Sequence, residues 1–219
     1  MDNGVFAQFV ALGGGLLLLT GVLIVWRRSL ASNVRLLMLQ GVALAGLVAV
    51  IGVHARSAEL LGLAALVLFL KGLVLPTVLA RTISRGGAAP VETPLINTTA
   101  SLISLSLLTM LAYLVSQPLQ ASGTGAATKA VPVGIALVLF GFLILATRRH
   151  AVSQLVGFLV LDNGITTMAF LISAGVPLVV ELGVSLDVFL VVLILQVLTG
   201  RIRTEFGDTD LDDLRELRD

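Results

Sequence analysis

Seven long apolar runs constrain this chain more than any other feature of its sequence. A membrane-crossing helix needs about 20 predominantly apolar residues, and a segment surrounded by lipid must satisfy its backbone hydrogen bonds internally. The sequence therefore predicts an all-α, polytopic membrane protein with seven transmembrane helices. The predicted spans are 5–26, 36–54, 60–80, 98–119, 131–147, 153–174 and 178–199.

The composition excludes several other classes of protein. Of 219 residues, 57% are hydrophobic and 12% are charged, whereas a soluble domain has about 25% charged residues. A basic surface interleaved with aromatic residues, typical of nucleic-acid binding, is missing from the sequence. The chain has no cysteine, which excludes disulfides, thiolate zinc sites and iron–sulfur ligation within it.

The basic residues are distributed unevenly between the loops that join the predicted spans. One alternate set of loops holds nine of them, and the other set holds Arg56 and Lys129. Because cytoplasmic loops carry the excess of Lys and Arg, this bias predicts an outside N-terminus and a cytoplasmic C-terminus in a bacterial inner membrane. The nine residues are Arg27, Arg28, Arg35, Arg81, Arg85, Arg148, Arg149, Arg201 and Arg203.

The spans and charges divide the chain into four predicted units. Residues 1–97 form an N-terminal three-helix unit, and residues 98–130 form a connector helix with its loop. Residues 131–207 form a second three-helix unit, and residues 208–219 form an acidic cytoplasmic tail with leucines at every third position. The tail is suited either to docking on a cytoplasmic protein or to remaining solvated.

A weak internal repeat relates the two three-helix units. The first span of each unit ends in an Arg pair, a polar residue follows in the next span, and a Glu opens the third. Two readings stay open: a parallel duplication, or chance recurrence of features common in membrane proteins. The corresponding residues are Arg27-Arg28 and Arg148-Arg149, Gln40 and Asp162, and Glu59 and Glu181.

Three ionisable residues lie deep inside predicted spans: Lys71, Asp162 and Asp187. At about 1.5 Å per residue, each lies roughly 14–17 Å from a membrane face, near the midplane of an about 30 Å hydrocarbon core. A charge there costs about 2.5–3.5 kcal/mol on insertion scales, so these residues are candidates for a proton or ion pathway. The alternative is a Lys–Asp bridge that only fixes helix packing.

Neighbouring residues provide further polar atoms around this predicted layer. Pro76 lacks an N–H and clashes with the carbonyl four residues earlier, which predicts a kink and a freed Gly72 carbonyl next to Lys71. Asn163 and Thr166 flank Asp162, with Thr166 one turn away on the same helix face. We therefore treat Pro76, Asn163 and Thr166 as supporting residues of the site.

Other polar residues carry weaker signals. The fourth span has a polar face, which we expect to pack against neighbouring helices because Ser and Thr commonly do so in membranes. His54 and His150 fall at opposite membrane faces, so they predict no shared metal site. The sequence offers no catalytic residue, metal site or cofactor-binding site. The polar face comprises Asn97, Ser101, Ser104 and Thr109.

Residues 131–219 resemble the small three-helix K subunit of respiratory complex I and its antiporter relatives. The shared features are Arg148-Arg149 after the first span, the run 157–163 (Gly-Phe-Leu-Val-Leu-Asp-Asn) in the second, and Asp187 in the third. Gln196, Arg201, Arg203 and the acidic tail follow. The second-span glutamate of that subunit corresponds to Leu159, so the acid here lies one turn later, at Asp162.

The whole chain resembles component E of hydrogenase-4, a longer relative of that subunit. Lys71 with Pro76 five residues later, the Asp162-Asn163 pair and the similar length carry this likeness. The resemblance implies a non-catalytic membrane subunit of an oxidoreductase complex that relays protons or ions through Lys71, Asp162 and Asp187. It also implies antiporter-like membrane subunits and large and small hydrogenase subunits as partners, which would hold the nickel–iron and iron–sulfur centres.

Two other functions use the same residues. One is a subunit of a multi-subunit sodium/proton antiporter without a redox module. The other is a membrane scaffold whose buried charges only hold its partners in register.

Overall fold

The computed structural model describes residues 1–85, 96–122 and 125–173, and within them the fold is all-α. Six helical spans in these residues are long and apolar enough to cross a membrane, so the chain is a multi-pass membrane protein. The seventh predicted span, with Glu181 and Asp187, and the acidic tail lie outside the described residues. The helices are α1 (Asn3–Trp26), α2 (Leu30–Ala55), α3 (Ala58–Val67), α4 (Leu75–Arg85), α5 (Thr98–Ser122), α6 (Ala126–Lys129), α7 (Val131–Thr147) and α8 (Ala151–Ser173), and a π-helical segment (Leu68–Val74) joins α3 to α4.

The largest difference between predicted and observed spans is at the start of α2. This helix begins at Leu30 rather than at residue 36, after Ser29 in extended conformation. The expectation that Arg35 lies in a loop is wrong, since Arg35 is an exposed residue within the helix. The same expectation is wrong for Arg81 and Arg85, which lie in the last turns of α4. The charge of Arg35 interrupts the apolar run, but backbone hydrogen bonds extend the helix on its N-terminal side, back to Leu30.

Four helices, α1, α2, α7 and α8, surround a common apolar core, and α5 packs on α7 and α1. Leu17, Leu44, Leu137 and Phe140 are fully buried there. The outward faces are also apolar, as on α5 at Met110. Because lipid is as apolar as these side chains, hydrophobic burial alone does not hold such helices together. Close packing and polar contacts between helices must do so.

Close packing is most evident between α7 and α8, where glycines allow the backbones to approach. A Cβ built on Gly141 would lie 2.5 Å from Leu161 Cβ and 2.7 Å from its backbone nitrogen. A Cβ on Gly164 would lie 2.6 Å from the backbone nitrogen of Val138. Since backbone atoms cannot move aside, larger residues would force the helices apart. The seam consists of Gly134 and Gly141 on α7 and Gly157 and Gly164 on α8.

Contacts at the two ends of the bundle show which helix ends lie next to each other. The guanidinium of Arg148, after α7, donates to the carbonyls of Val25 (3.0 Å) and Arg27 (3.5 Å) at the end of α1. At the opposite end, the rings of Phe6 and His54 stack with centroids 4.0 Å apart. These contacts bring Arg27 and Arg148, both from the Arg-rich set of loops, to one end. Which end faces the cytoplasm stays a prediction, as does the division into four units.

Candidate functional site

Lys71 and Asp162 form a buried ion pair between the π-helical segment and α8. The ammonium nitrogen of Lys71 contacts Oδ2 of Asp162, and each side chain is 2% exposed. Each charge alone would be costly at this depth, and the contact offsets part of that cost while leaving the pair strongly dependent on both partners. Two residues 91 positions apart in the chain thus form one polar centre.

Thr166 completes this centre on the Asp162 side. Lys71 Nζ donates to Thr166 Oγ1 at 2.8 Å, and the Thr166 hydroxyl donates to the Asp162 main-chain oxygen at 2.9 Å. The other carboxylate oxygen, Oδ1 of Asp162, is buried and has no hydrogen-bond partner among the described residues. A buried acceptor of this kind is suited to bind a water molecule or a proton.

The backbone around Lys71 is unusual for a membrane-spanning helix. Lys71 lies in the middle of the π-helical segment, whose bonding is shown by the N–H of Leu75 donating to Leu70 O, five residues earlier. Pro76, two residues after the end of this segment, has no N–H to donate. The interruption expected at Pro76 is therefore a wider helical turn placed just before it. Such π segments are frequent at functional sites.

A second polar contact links α2 to α8 beside the ion pair. Asn163 Nδ2 donates to Gln40 Oε1 at 2.9 Å, and Gln40 Nε2 donates to the Leu17 carbonyl on α1 at 3.4 Å. Gln40 is fully buried, and Asn163 is 4% exposed. Sequence reasoning placed Asn163 in the site but noted Gln40 only as part of the repeat. The missed signal is that a buried amide inside an apolar span needs a hydrogen-bond partner.

The structure thus brings several of the predicted site residues together. Lys71, Asp162 and Thr166 are in direct contact, Asn163 is bonded beside them, and Pro76 lies in the first turn of α4, just after the π-helical segment. Asp187 lies outside the described residues, so its position in the polar layer stays a prediction. The part that these residues take in proton or ion movement is likewise a prediction.

The two histidines are far from this centre. His54 stacks on Phe6 at one end of the bundle, whereas His150 is exposed next to the Arg-rich end. Within the three described stretches of the chain, no group of three or more His, Asp or Glu side chains is placed to hold a metal ion.

Comparison with known proteins finds a full-length relative. The chain is 49% identical over 220 residues to a protein of Mycobacterium tuberculosis (strain H37Rv) that carries the name "Uncharacterized protein Rv0085". The alignment covers 100% of both chains. No protein-family profile and no solved structure matches the chain.

A second similarity is partial. The chain is 25% identical over 113 residues to hydrogenase-4 component E of Escherichia coli K12, and equally to that of Shigella flexneri. The alignment covers 52% of this chain and 52% of each relative. The chain is therefore a distant relative of component E over about half its length, which confirms the coarser part of the resemblance inferred from the sequence.

Proposed function

Because this chain belongs to the family of the Mycobacterium tuberculosis protein Rv0085 and is distantly related to hydrogenase-4 component E, we propose that it is a membrane subunit of a redox complex. In this proposal the complex is hydrogenase-4-like and related to respiratory complex I. The chain itself is non-catalytic and contributes to proton or ion translocation through Lys71 and Asp162, with Asp187 as a further member of the pathway.

The buried Lys71–Asp162 pair is the observation that carries the proposal. A purely structural bundle gains little from such a pair, because apolar residues of similar volume often stabilise a buried site as well or better. Ionisable residues facing the interior of a membrane bundle commonly mark ion pathways and proton relays. The open acceptor at Asp162 Oδ1 and the π-helical segment around Lys71 support the same assignment.

The buried pair is suited to a step in which its two charges separate and meet again. The contact between Lys71 and Asp162 offsets part of the cost of burying each charge. A small displacement of Lys71 from Asp162 would therefore make both charges more costly at this position. Moving one elementary charge across the membrane is worth about 2.3 kcal/mol per 100 mV, which is similar to the roughly 2.5–3.5 kcal/mol cost of a charge at the bilayer centre.

The proposal assigns the redox chemistry to partner subunits. Antiporter-like membrane subunits would continue the ion pathway, and large and small hydrogenase subunits would hold the nickel–iron and iron–sulfur centres. Co-purification in a mild detergent tests this part. A nickel–iron large subunit among the co-purified proteins supports it, whereas antiporter subunits without a redox module would favour the antiporter alternative.

Replacing Asp162 by Asn tests the pathway, since Asn keeps the shape of Asp but does not titrate. We expect the Asp162→Asn complex to assemble and to reduce an artificial acceptor at the wild-type rate, while ion uptake into proteoliposomes is lost. Thr109→Val, which removes a hydroxyl bonded within α5, is the matched control and should keep both activities.

The double variant Lys71→Met with Asp162→Asn separates a pathway from a scaffold. It removes both charges, so the penalty of one unpaired buried charge is absent. Assembly of the double variant without ion uptake supports the proposal. Assembly with full ion uptake would show that the pair only holds the bundle together, and the proposal would fall.

A further inference from the structure

Two adjacent residues of α2 contact the two elements that carry the ion pair. Gln40 accepts a hydrogen bond from Asn163 on α8, directly after Asp162. Gln40 also donates to the Leu17 carbonyl of α1. Its fully buried side chain therefore connects the Asp162 side of the site to the core of the bundle.

Gly41 makes the second contact, with the backbone of the π-helical segment. A Cβ built on Gly41 would meet the carbonyl oxygen of Lys71 and would lie 2.5 Å from its carbonyl carbon and 2.8 Å from the nitrogen of Gly72. All three are backbone atoms, which cannot rotate away as a side chain can. Only glycine at this position lets α2 lie against the turn that carries Lys71.

We infer that the Gln40-Gly41 step of α2 positions the ion pair: Gln40 fixes the Asp162 side through Asn163, and Gly41 fixes the Lys71 side. Because the two residues are adjacent, α2 sets the separation and register of ammonium and carboxylate as one rigid unit. Movement of α2 along α8 by one residue, about 1.5 Å, would break the amide contact and alter the pair. A role for this positioning by α2 in translocation rests on the function proposed above, whereas the effect of α2 on the ion pair is a property of this chain alone.

The lysine content gives a direct measurement of the pair. The chain contains two lysines, Lys71 in the site and the exposed Lys129. Isotopic labelling of lysine side-chain nitrogen therefore gives two ammonium signals in an NMR spectrum of the detergent-solubilised chain. The Lys71→Met variant identifies the signal of Lys71, and the signal of Lys129 serves as an internal reference.

Gln40→Leu removes the amide contact while keeping a side chain of similar volume. We expect the Lys71 signal to shift from its wild-type position and the Lys129 signal to stay in place. The exchange variant Gln40→Asn with Asn163→Gln keeps the combined length and hydrogen bonding of the two amides. It should restore the wild-type Lys71 signal, a rescue that a general loss of packing would not show.

Two further variants separate positioning from stability. Leu44→Ala creates a cavity at a fully buried position one turn along α2, so it should lower Tm without shifting the Lys71 signal. Gly41→Ala should shift that signal, whereas Gly46→Ala should not, because a Cβ on Gly46 meets no described atom within 4 Å. If Gly41→Ala does not fold, the exchange variant still decides the question.

Three outcomes overturn the inference: an unshifted Lys71 signal in Gln40→Leu, a shifted signal in the folded exchange variant, or equal shifts in Gly41→Ala and Gly46→Ala. Ion uptake by the complex is measured separately. If the Lys71 signal responds as expected but Asp162→Asn leaves ion uptake unchanged, the positioning role stands and the proposed function is wrong. If Asp162→Asn abolishes ion uptake but the Lys71 signal does not respond as expected, only the positioning role is wrong.

Discussion

Two helices of this bundle, α5 and α8, carry several polar residues within apolar sequences. The polar side chains of the two helices find their hydrogen-bond partners in different places. In α5 the hydroxyls of Ser101 and Thr109 donate to carbonyl oxygens four residues earlier, at 3.1 and 2.8 Å. Of the polar face expected to pack against neighbours, Ser101 is buried, Ser104 and Thr109 are half-buried, and Asn97 is exposed. The hydrogen bond of Ser101 nevertheless stays with its own stretch of chain and contributes nothing between helices.

In α8 two buried polar side chains reach other helices instead. Asp162 pairs with Lys71 of the π-helical segment, and Asn163 bonds to Gln40 of α2. The difference follows from side-chain chemistry. A hydroxyl has one donor that fits the carbonyl of the preceding turn, whereas carboxylate, amide and ammonium groups have more hydrogen-bonding capacity than their own helix can satisfy. Carboxylate, amide and ammonium groups buried at the centre of the bundle therefore mark the contacts between helices.

Removing one partner of the ion pair should lower the stability of the bundle more than any other change to its polar contacts. Asp162→Leu leaves the Lys71 ammonium buried without its carboxylate, which we expect to lower the free energy of unfolding by about 3–5 kcal/mol. Adding Lys71→Met should recover most of that loss, because the site is then wholly apolar. Unfolding in mixed SDS and mild detergent, followed by circular dichroism, measures both. A double variant as unstable as the single one would contradict the pairing.

Removing one amide of the Asn163–Gln40 contact should lower the free energy of unfolding by an intermediate amount. Asn163→Leu leaves Gln40 Oε1 buried without its donor, which typically costs about 1–3 kcal/mol. The same unfolding titration measures the change. Combining Asn163→Leu with Gln40→Leu should cost less than the two single losses added together, since both atoms belong to one hydrogen bond. Strictly additive losses would show that the two amides act independently.

Removing a hydroxyl that is bonded within its own helix should change the free energy of unfolding least. Thr109→Val removes a hydroxyl that donates to its own helix at 2.8 Å, and valine has nearly the same shape. We expect the free energy of unfolding to change by less than about 0.5 kcal/mol. A loss as large as that of Asn163→Leu would show that α5 uses its hydroxyls between helices after all, and the contrast with α8 would disappear.

Much of the fold follows from the sequence because its causes are local. Apolar runs of sufficient length require helices in a membrane, and the described spans agree with the prediction to within six residues, with the largest departures at the start of α2 and the end of α4. Counting residues along the spans also predicted that Lys71 and Asp162 lie at a common level, which agrees with their contact. Local chemistry further predicted that Pro76 disturbs its helix, although not that the disturbance is a π-helical segment.

The partner of each polar group was decided only by the tertiary structure. Hydropathy and residue spacing place Lys71 and Asp162 at one depth but do not determine which helices are neighbours. Close approach at Gly41 and along the α7–α8 glycines decides that, because it depends on backbone surfaces from distant parts of the chain. The sequence alone therefore determined which residues need a partner in the membrane, and helix packing decided that Lys71 meets Asp162 and that Gln40 meets Asn163.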